Sequence, residues 1–129
     1  MTIIDTNVMI PLLKGTPEAV NRVREISNKD QVVITAITAY ELLKGARLSS
    51  KPEENTENVK KAISNMQVLD FSQEASEEAS NIFCELKESG KMISEFDILI
   101  AAIAKTNGEA ILTRDLHFKF INGIDLVQW

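Results

Sequence analysis

Short runs of β-branched and aliphatic residues alternate along this chain with longer stretches whose apolar positions recur every three or four residues. That alternation predicts strands interleaved with helices. Residues 2–5 read as a buried strand opening directly into a helix over 6–13, which Lys14-Gly15 closes. Thr16-Pro17 starts a second helix with Ala19, Val20, Val23 and Ile26 on one face. Residues 32–34 are β-branched throughout and read as a second strand. Thr35 or Thr38 then caps a helix running through Glu41 to about Leu48. The polar stretch 49–55 reads as a mobile loop in which Pro52 begins the next helix, striped by Val59, Ala62, Ile63 and Met66. Residues 68–71 form a third predicted strand, and Ser72 caps a long helix with Ala75, Ala79, Ile82, Phe83 and Leu86 inward, ending at Gly90. Ser94 opens a helix whose centre, 98–104, is apolar all round. Residues 110–113 and 124–127 complete the set as strands four and five.

Strands separated by helices predict one α/β domain over residues 1–129, a three-layer α/β/α arrangement around a parallel sheet of about five strands. In such sheets ligands bind outside the carboxyl ends of the strands. Asp5 ends strand one and Asp115 follows strand four, so both are expected at that edge. Glu41 and Asp97 lie in the helices after strand two and before strand four.

Four carboxylates in one cleft repel one another and force pKa values upward. A divalent cation removes the conflict, and an oxygen-only donor set selects a hard ion such as Mg²⁺ or Mn²⁺. Each acid also has an ordinary structural use. Asp5 and Asp115 suit helix or turn caps, and Ser94-Glu95-Phe96-Asp97 has the form of a capping box. Glu41 differs, because it lies among Ala39, Tyr40, Leu42 and Leu43, where a solvated glutamate is a poor fit.

Composition narrows the class. Apolar residues make up 44% and charged residues 26%, an ordinary globular balance. The longest apolar run is 98–104, far short of the roughly 20 residues that span a bilayer. The beginning of the chain lacks a basic region and meets Asp5 at once, unlike a signal peptide. A single cysteine, Cys84, is expected as a small core residue in a reducing cytoplasmic compartment. Net charge is −5, and setting the four candidate acids aside leaves −1, so phosphate binding would rest on a local basic patch or on the metal. Lys44, Arg47 and Lys51 lie beyond Glu41 and are candidates for phosphate contact; Arg114, a further candidate for RNA contact, is closer to the acids and is expected to pair with one. His117 is the only histidine, which removes histidine-rich zinc sites and most nucleophile–histidine arrangements. No Cys-x-x-Cys pair and no phosphate-cradling glycine loop is present.

Four blocks then stand in order: Ile3-Ile4-Asp5-Thr6-Asn7; Thr38-Ala39-Tyr40-Glu41-Leu42-Leu43-Lys44-Gly45-Ala46; Asp97-Ile98-Leu99-Ile100-Ala101-Ala102; and Leu112-Thr113-Arg114-Asp115. Together they resemble a PIN domain over residues 2 to about 127, with greatest similarity to the VapC-type toxins of prokaryotic toxin–antitoxin pairs. The resemblance implies a Mg²⁺- or Mn²⁺-dependent endoribonuclease acting on RNA. It implies a homodimer held by a small antitoxin, here expected to reach the acidic cleft with a basic segment. It matches Asp5, Glu41, Asp97 and Asp115 to the family's acidic quartet and Thr6, Asn7 and Thr113 to its supporting polar positions. Asp5, Asp97 and Asp115 are then the expected metal ligands, with Glu41 ligating or orienting the attacking water. The apolar helix 98–104 suits burial on both sides or a shared subunit interface.

Two alternatives come from other classes. A non-catalytic PIN-like interaction module would have no need of four acids together. A Mg²⁺-binding receiver-type phosphoacceptor domain would need an aspartate ending strand three and a lysine after the last strand, whereas Asp70 is placed inside strand three and no lysine follows Lys119.

Overall fold

A computed structural model describes residues 1–129, the side chain of Gln128 excepted. The elements in chain order are β1 (Thr2–Ile4), α1 (Thr6–Leu13), α2 (Pro17–Ser27), β2 (Val32–Thr35), α3 (Ala36–Arg47), α4 (Pro52–Ser64), β3 (Gln67–Leu69), α5 (Gln73–Ser89), α6 (Glu95–Asn107), β4 (Ala110–Thr113), a 3₁₀ turn (Leu116–Phe120) and β5 (Leu126–Gln128). All strands are parallel, in the order β3-β2-β1-β4-β5. The α/β class and the five-stranded parallel sheet match the sequence expectation.

Neighbouring residues on a strand face opposite sides, and here the pattern assigns the layers. Ile3, Val33 and Ile111 pack with α5, α6 and the 3₁₀ turn, while Ile4, Ile34 and Leu112 pack with α1 to α4. Both faces are covered, as a parallel sheet requires. Helix α6 is apolar all round because Ile98 and residues 100–104 are almost fully buried within this one chain. Its composition needs no second subunit to account for it. No helix is long and apolar enough to cross a membrane.

Several boundaries move. Residues 52–64 are helical, so the expected loop 49–55 shrinks to 48–51, and Asn55 Nδ2 donates to Ser49 Oγ at 2.8 Å. Strand β3 ends at Leu69, one residue before an exposed Asp70, and β3 is an edge strand rather than the sheet's centre. Asp70 thus stands at the end of β3 rather than inside it as expected. That edge strand is separated from β4 by β2 and β1, and no lysine follows Lys119, so the arrangement a receiver domain needs is not met. Strand β5 begins two residues later than expected, at Leu126. Cys84, expected in the core, is exposed: Ala79, Ile82 and Leu86 form the inner face of α5, and position 84 points away from it.

The 3₁₀ turn after β4 was not anticipated, and one side chain secures it. Phe118 is fully buried in the core beneath α5 and α6, which fixes the turn that Asp115 caps. Phe118→Ala is expected to lower stability by about 3–5 kcal/mol, and Cys84→Ser to change it by less than about 0.5 kcal/mol, both measured by urea unfolding.

Candidate active site

Because the strands are parallel, β1, β2 and β4 all end at one edge of the sheet. Helices that connect parallel strands run back across them, so their first turns lie at that same edge. Asp5 follows β1 as the N-cap of α1, Thr35 ends β2 and caps α3, and Thr113 ends β4. Helix α3 carries Glu41, and the first turn of α6 carries Asp97.

Asp5 is 3% exposed, and its carboxylate is held at both oxygens. The backbone amide of Thr6 donates to Oδ1 at 2.7 Å and the Thr113 hydroxyl to Oδ2 at 2.7 Å. Thr113 Oγ1 in turn accepts from the Asp115 amide at 2.9 Å and from Asn7 Nδ2 at 3.4 Å. Asn7 Oδ1 accepts the Arg114 amide at 3.2 Å, so α1 and the segment after β4 are laced together. Asp115 Oδ1 accepts the His117 amide at 2.8 Å and lies 3.1 Å from His117 Nδ1. Capping and gathering are thus the same act for Asp5 and Asp115.

A second threonine chain fixes Glu41. Thr6 Oγ1 lies 2.8 Å from Glu41 Oε1 and 3.0 Å from Thr38 Oγ1. With one hydroxyl proton, it donates to the carboxylate and accepts from Thr38. Thr38 and Thr35 are fully buried beneath it, the Thr38 amide donating to Thr35 Oγ1 at 3.2 Å. This use of Thr38 was not foreseen; its signal is the Thr35-x-x-Thr38 spacing, which places two hydroxyls on one helical turn. Ser94 makes no side-chain cap bond. The expected capping box with Asp97 does not form, and Asp97 serves the acid cluster instead.

The electrostatic consequence is direct. Burial raises the Asp97 pKa, the charges of Asp5, Asp115 and Glu41 raise it further, and with a hydrogen bond to Asp115 it reaches about 7. Burial also lifts Asp5, opposed by the bonds from Thr113 and Thr6 and reinforced by Glu41 and Asp115. Asp97 thus feels all three other acids, and Asp5 feels Glu41 and Asp115. Among the described residues, no three acidic, cysteine or histidine side chains converge tightly enough to ring one ion as they stand. The chemistry of the set nonetheless fits a hard divalent cation: every donor is oxygen, and burial together with its neighbours' charge pushes one carboxyl up to about 7.

The basic candidates fall outside the carboxylates. Arg114, expected to pair with an acid, instead lies over the Trp129 ring at 4.9 Å, and none of the described residues forms an ion pair with it. Lys44 lies over Tyr40 and Phe96. Arg47 and Lys51 are exposed at the end of α3 and the link after it. His117 is exposed and stacks on Phe120.

Comparison with known proteins agrees with this fold. The PIN domain family model matches residues 2–123. A tRNA(fMet)-specific endonuclease VapC from Salmonella typhimurium is 35% identical over 98% of this chain and 96% of its own length. A ribonuclease VapC2 from Haemophilus influenzae is 33% identical over the same shares. Among solved structures, VapBC from Salmonella typhimurium bound to DNA superposes with a TM-score of 0.89 at 33% identity, covering 99% of this chain and 97% of the other. VapBC2 from Rickettsia felis, bound to a fragment of its promoter, superposes with a TM-score of 0.91 at 25% identity, covering 99% and 98%. Nucleases of this kind are generally metal-dependent. By sequence and by fold, the chain belongs to the PIN-domain family, within its VapC-type toxin ribonucleases.

Proposed function

We propose that Asp5, Asp97 and Asp115 hold Mg²⁺ or Mn²⁺ and that, with Glu41, they make up the catalytic centre at which this ribonuclease cleaves RNA, as the toxin of a toxin–antitoxin pair. The observation that carries the assignment is Asp97, whose carboxyl is pushed to about 7 by burial and by the other three acids. When bound, the cation lowers the pKa of a water and offsets charge developing on the scissile phosphate. Asp5 cannot swing away, because both of its oxygens are fixed from α1 and β4. Glu41 is held at Oε1 by Thr6, which leaves Oε2 to accept a hydrogen bond from the attacking water and take its proton. Thr6, Asn7 and Thr113 keep the carboxylates in place.

The partner we propose is a small antitoxin whose basic segment enters the acidic cleft. An arginine fork matches a carboxylate geometrically, and net charge −5 favours such a segment. Leu48, 80% exposed, and Ile10 and Leu13 on α1 leave apolar surface for that partner and for the homodimer we also propose, which light scattering would detect as about twice 14.4 kDa. The protein works in the cytoplasm, where an exposed Cys84 stays reduced.

Asp5→Asn and Asp97→Asn are each expected to cut RNA cleavage more than about a hundredfold, since even residues that merely support ligands cost 10–100-fold, while circular dichroism stays native. The tRNA(fMet) named for one relative is the first RNA to assay. Expression of the wild type alone should arrest growth, and the antitoxin should relieve it. Normal growth together with no cleavage in Mg²⁺ or Mn²⁺ would overturn the assignment.

The same electrostatics give a sign for stability without metal. Asp97 has a folded pKa of about 7 against an unfolded value of 3.8, so the folded state holds more protons between those limits. The contribution is fully present below the unfolded value and is lost as pH rises through about 7. Solvent screening of this half-buried carboxyl limits the loss to about 1–2 kcal/mol. Asp97→Asn should therefore be more stable than wild type at pH 8 in chelator and lose that advantage near pH 4, as read from urea midpoints.

A further inference from the structure

A catalytic centre of four carboxylates repels the polyanion it must bind, on a chain whose net charge is already −5. Cations nearby would be drawn onto those carboxylates and would compete with the divalent ion. Glu41 and Lys44 stand three apart on α3, a spacing that normally pairs opposite charges. Arg114 adjoins Asp115, and Lys119 follows it by one turn. Yet none of these three cations forms an ion pair among the described residues. Each lies over an aromatic ring instead.

The five cation–ring contacts among the described residues all involve segments that adjoin a site acid. Lys44 Nζ is 5.2 Å from the Tyr40 ring centre and 5.1 Å from that of Phe96, and the two rings meet edge to face at 5.7 Å. Tyr40 precedes Glu41 and Phe96 precedes Asp97. Arg114 lies 4.9 Å over Trp129, whose indole nitrogen is anchored by donation to Glu18 Oε1 at 2.8 Å. Lys91 and Lys119 lie over Phe120 at 5.2 and 5.7 Å, tying the approach to α6 to the turn after Asp115.

Building on the ribonuclease assignment, we infer that Lys44, Lys91, Arg114 and Lys119 form the phosphate-binding rim for RNA, and that the rings beneath them hold these charges off the carboxylates. A ring face attracts a cation without neutralising it, so the charge stays available to a phosphate. Screening confines useful attraction to about 8–10 Å, so the cations that offset the acids for an incoming strand are those on the segments that carry the acids, not the net charge of the whole surface. Tyr40 is 51% exposed, which leaves ring surface for a base as well.

The test is equilibrium binding of a fluorescein-labelled RNA hairpin to the full chain carrying Asp97→Asn, by anisotropy across a KCl series. Lys44→Gln with Arg114→Gln should weaken binding at least about tenfold and reduce the slope of log affinity against log salt by about 0.7 for each charge removed. Tyr40→Leu keeps every charge, yet it should weaken RNA binding several-fold. On the otherwise wild-type chain it should also weaken Mg²⁺ affinity in calorimetry, because the released Lys44 reaches Glu41. Trp129→Leu should do the same for RNA from the other side; Tyr40, exposed, guards against a loss that is merely unfolding. Cleavage by the wild type with RNA affinity and salt slope unchanged in the charge variants would overturn the rim alone. Unchanged Mg²⁺ affinity in Tyr40→Leu would overturn the role of the rings. Intact RNA binding with lost self-association or antitoxin binding would make this surface a protein interface and also overturn the rim. Absence of any cleavage by the wild type would remove the ribonuclease assignment first.

Discussion

Mutual repulsion among Asp5, Glu41, Asp97 and Asp115 is the constraint that the edge of this sheet is organised around. Left to relax, four carboxylates would rotate into solvent or take up protons. The fold prevents the first: β1 and β4 deliver Asp5 and Thr113 side by side, and a 2.7 Å hydroxyl bond joins them. It permits the second only in part, at Asp97, whose carboxyl is pushed up to about 7 by burial first and by the other three acids in addition. The parallel sheet matters because it ends three strands at one place, and the buried face of α6 matters because it fixes the helix whose first turn carries Asp97.

Threonines carry much of that restraint. Thr6, Thr35, Thr38 and Thr113 are buried or half-buried, and their hydroxyls pass hydrogen bonds between α1, α3 and β4 without adding charge. A lysine or arginine in these positions would hold the acids equally well and would occupy the place proposed for the cation. Neutral donors inside keep the acids together, while the ring-propped cations outside form the rim proposed to admit an anionic strand.

Much of the fold was legible because its signals are local. Helix α1 starts and stops where residues 5–15 say it should, and Ser72 and Gly90 cap α5 as their residue types predict. The acids were legible because each stands beside an apolar element whose end is itself predictable. What escaped depends on contacts distant in sequence. The 3₁₀ turn is set by Phe118 reaching the core under α6, and nothing in residues 116–120 alone distinguishes it from a loop. The expected Arg114–acid pair failed because Trp129, fifteen residues on, lies beside β4 through β5. Cys84 was assigned inward from its apolar neighbours, but the α5 face turns between Ile82 and Leu86 and leaves position 84 outside. Ser94 and Asp97 satisfy the sequence pattern of a capping box, but Ser94 makes no cap bond and the Asp97 carboxyl is hydrogen-bonded to Asp115, distant in sequence, instead.

The most direct measurement is the titration of the Asp97 side-chain carboxyl by NMR, in chelator and again with saturating Mg²⁺. Burial of Asp97 together with three gathered acids requires a midpoint near 7 in chelator, falling well below the ordinary carboxylate value once the cation is bound. A midpoint near 4 in chelator, unmoved by Mg²⁺, would contradict the account: the four acids would then share a sheet edge without sharing a site.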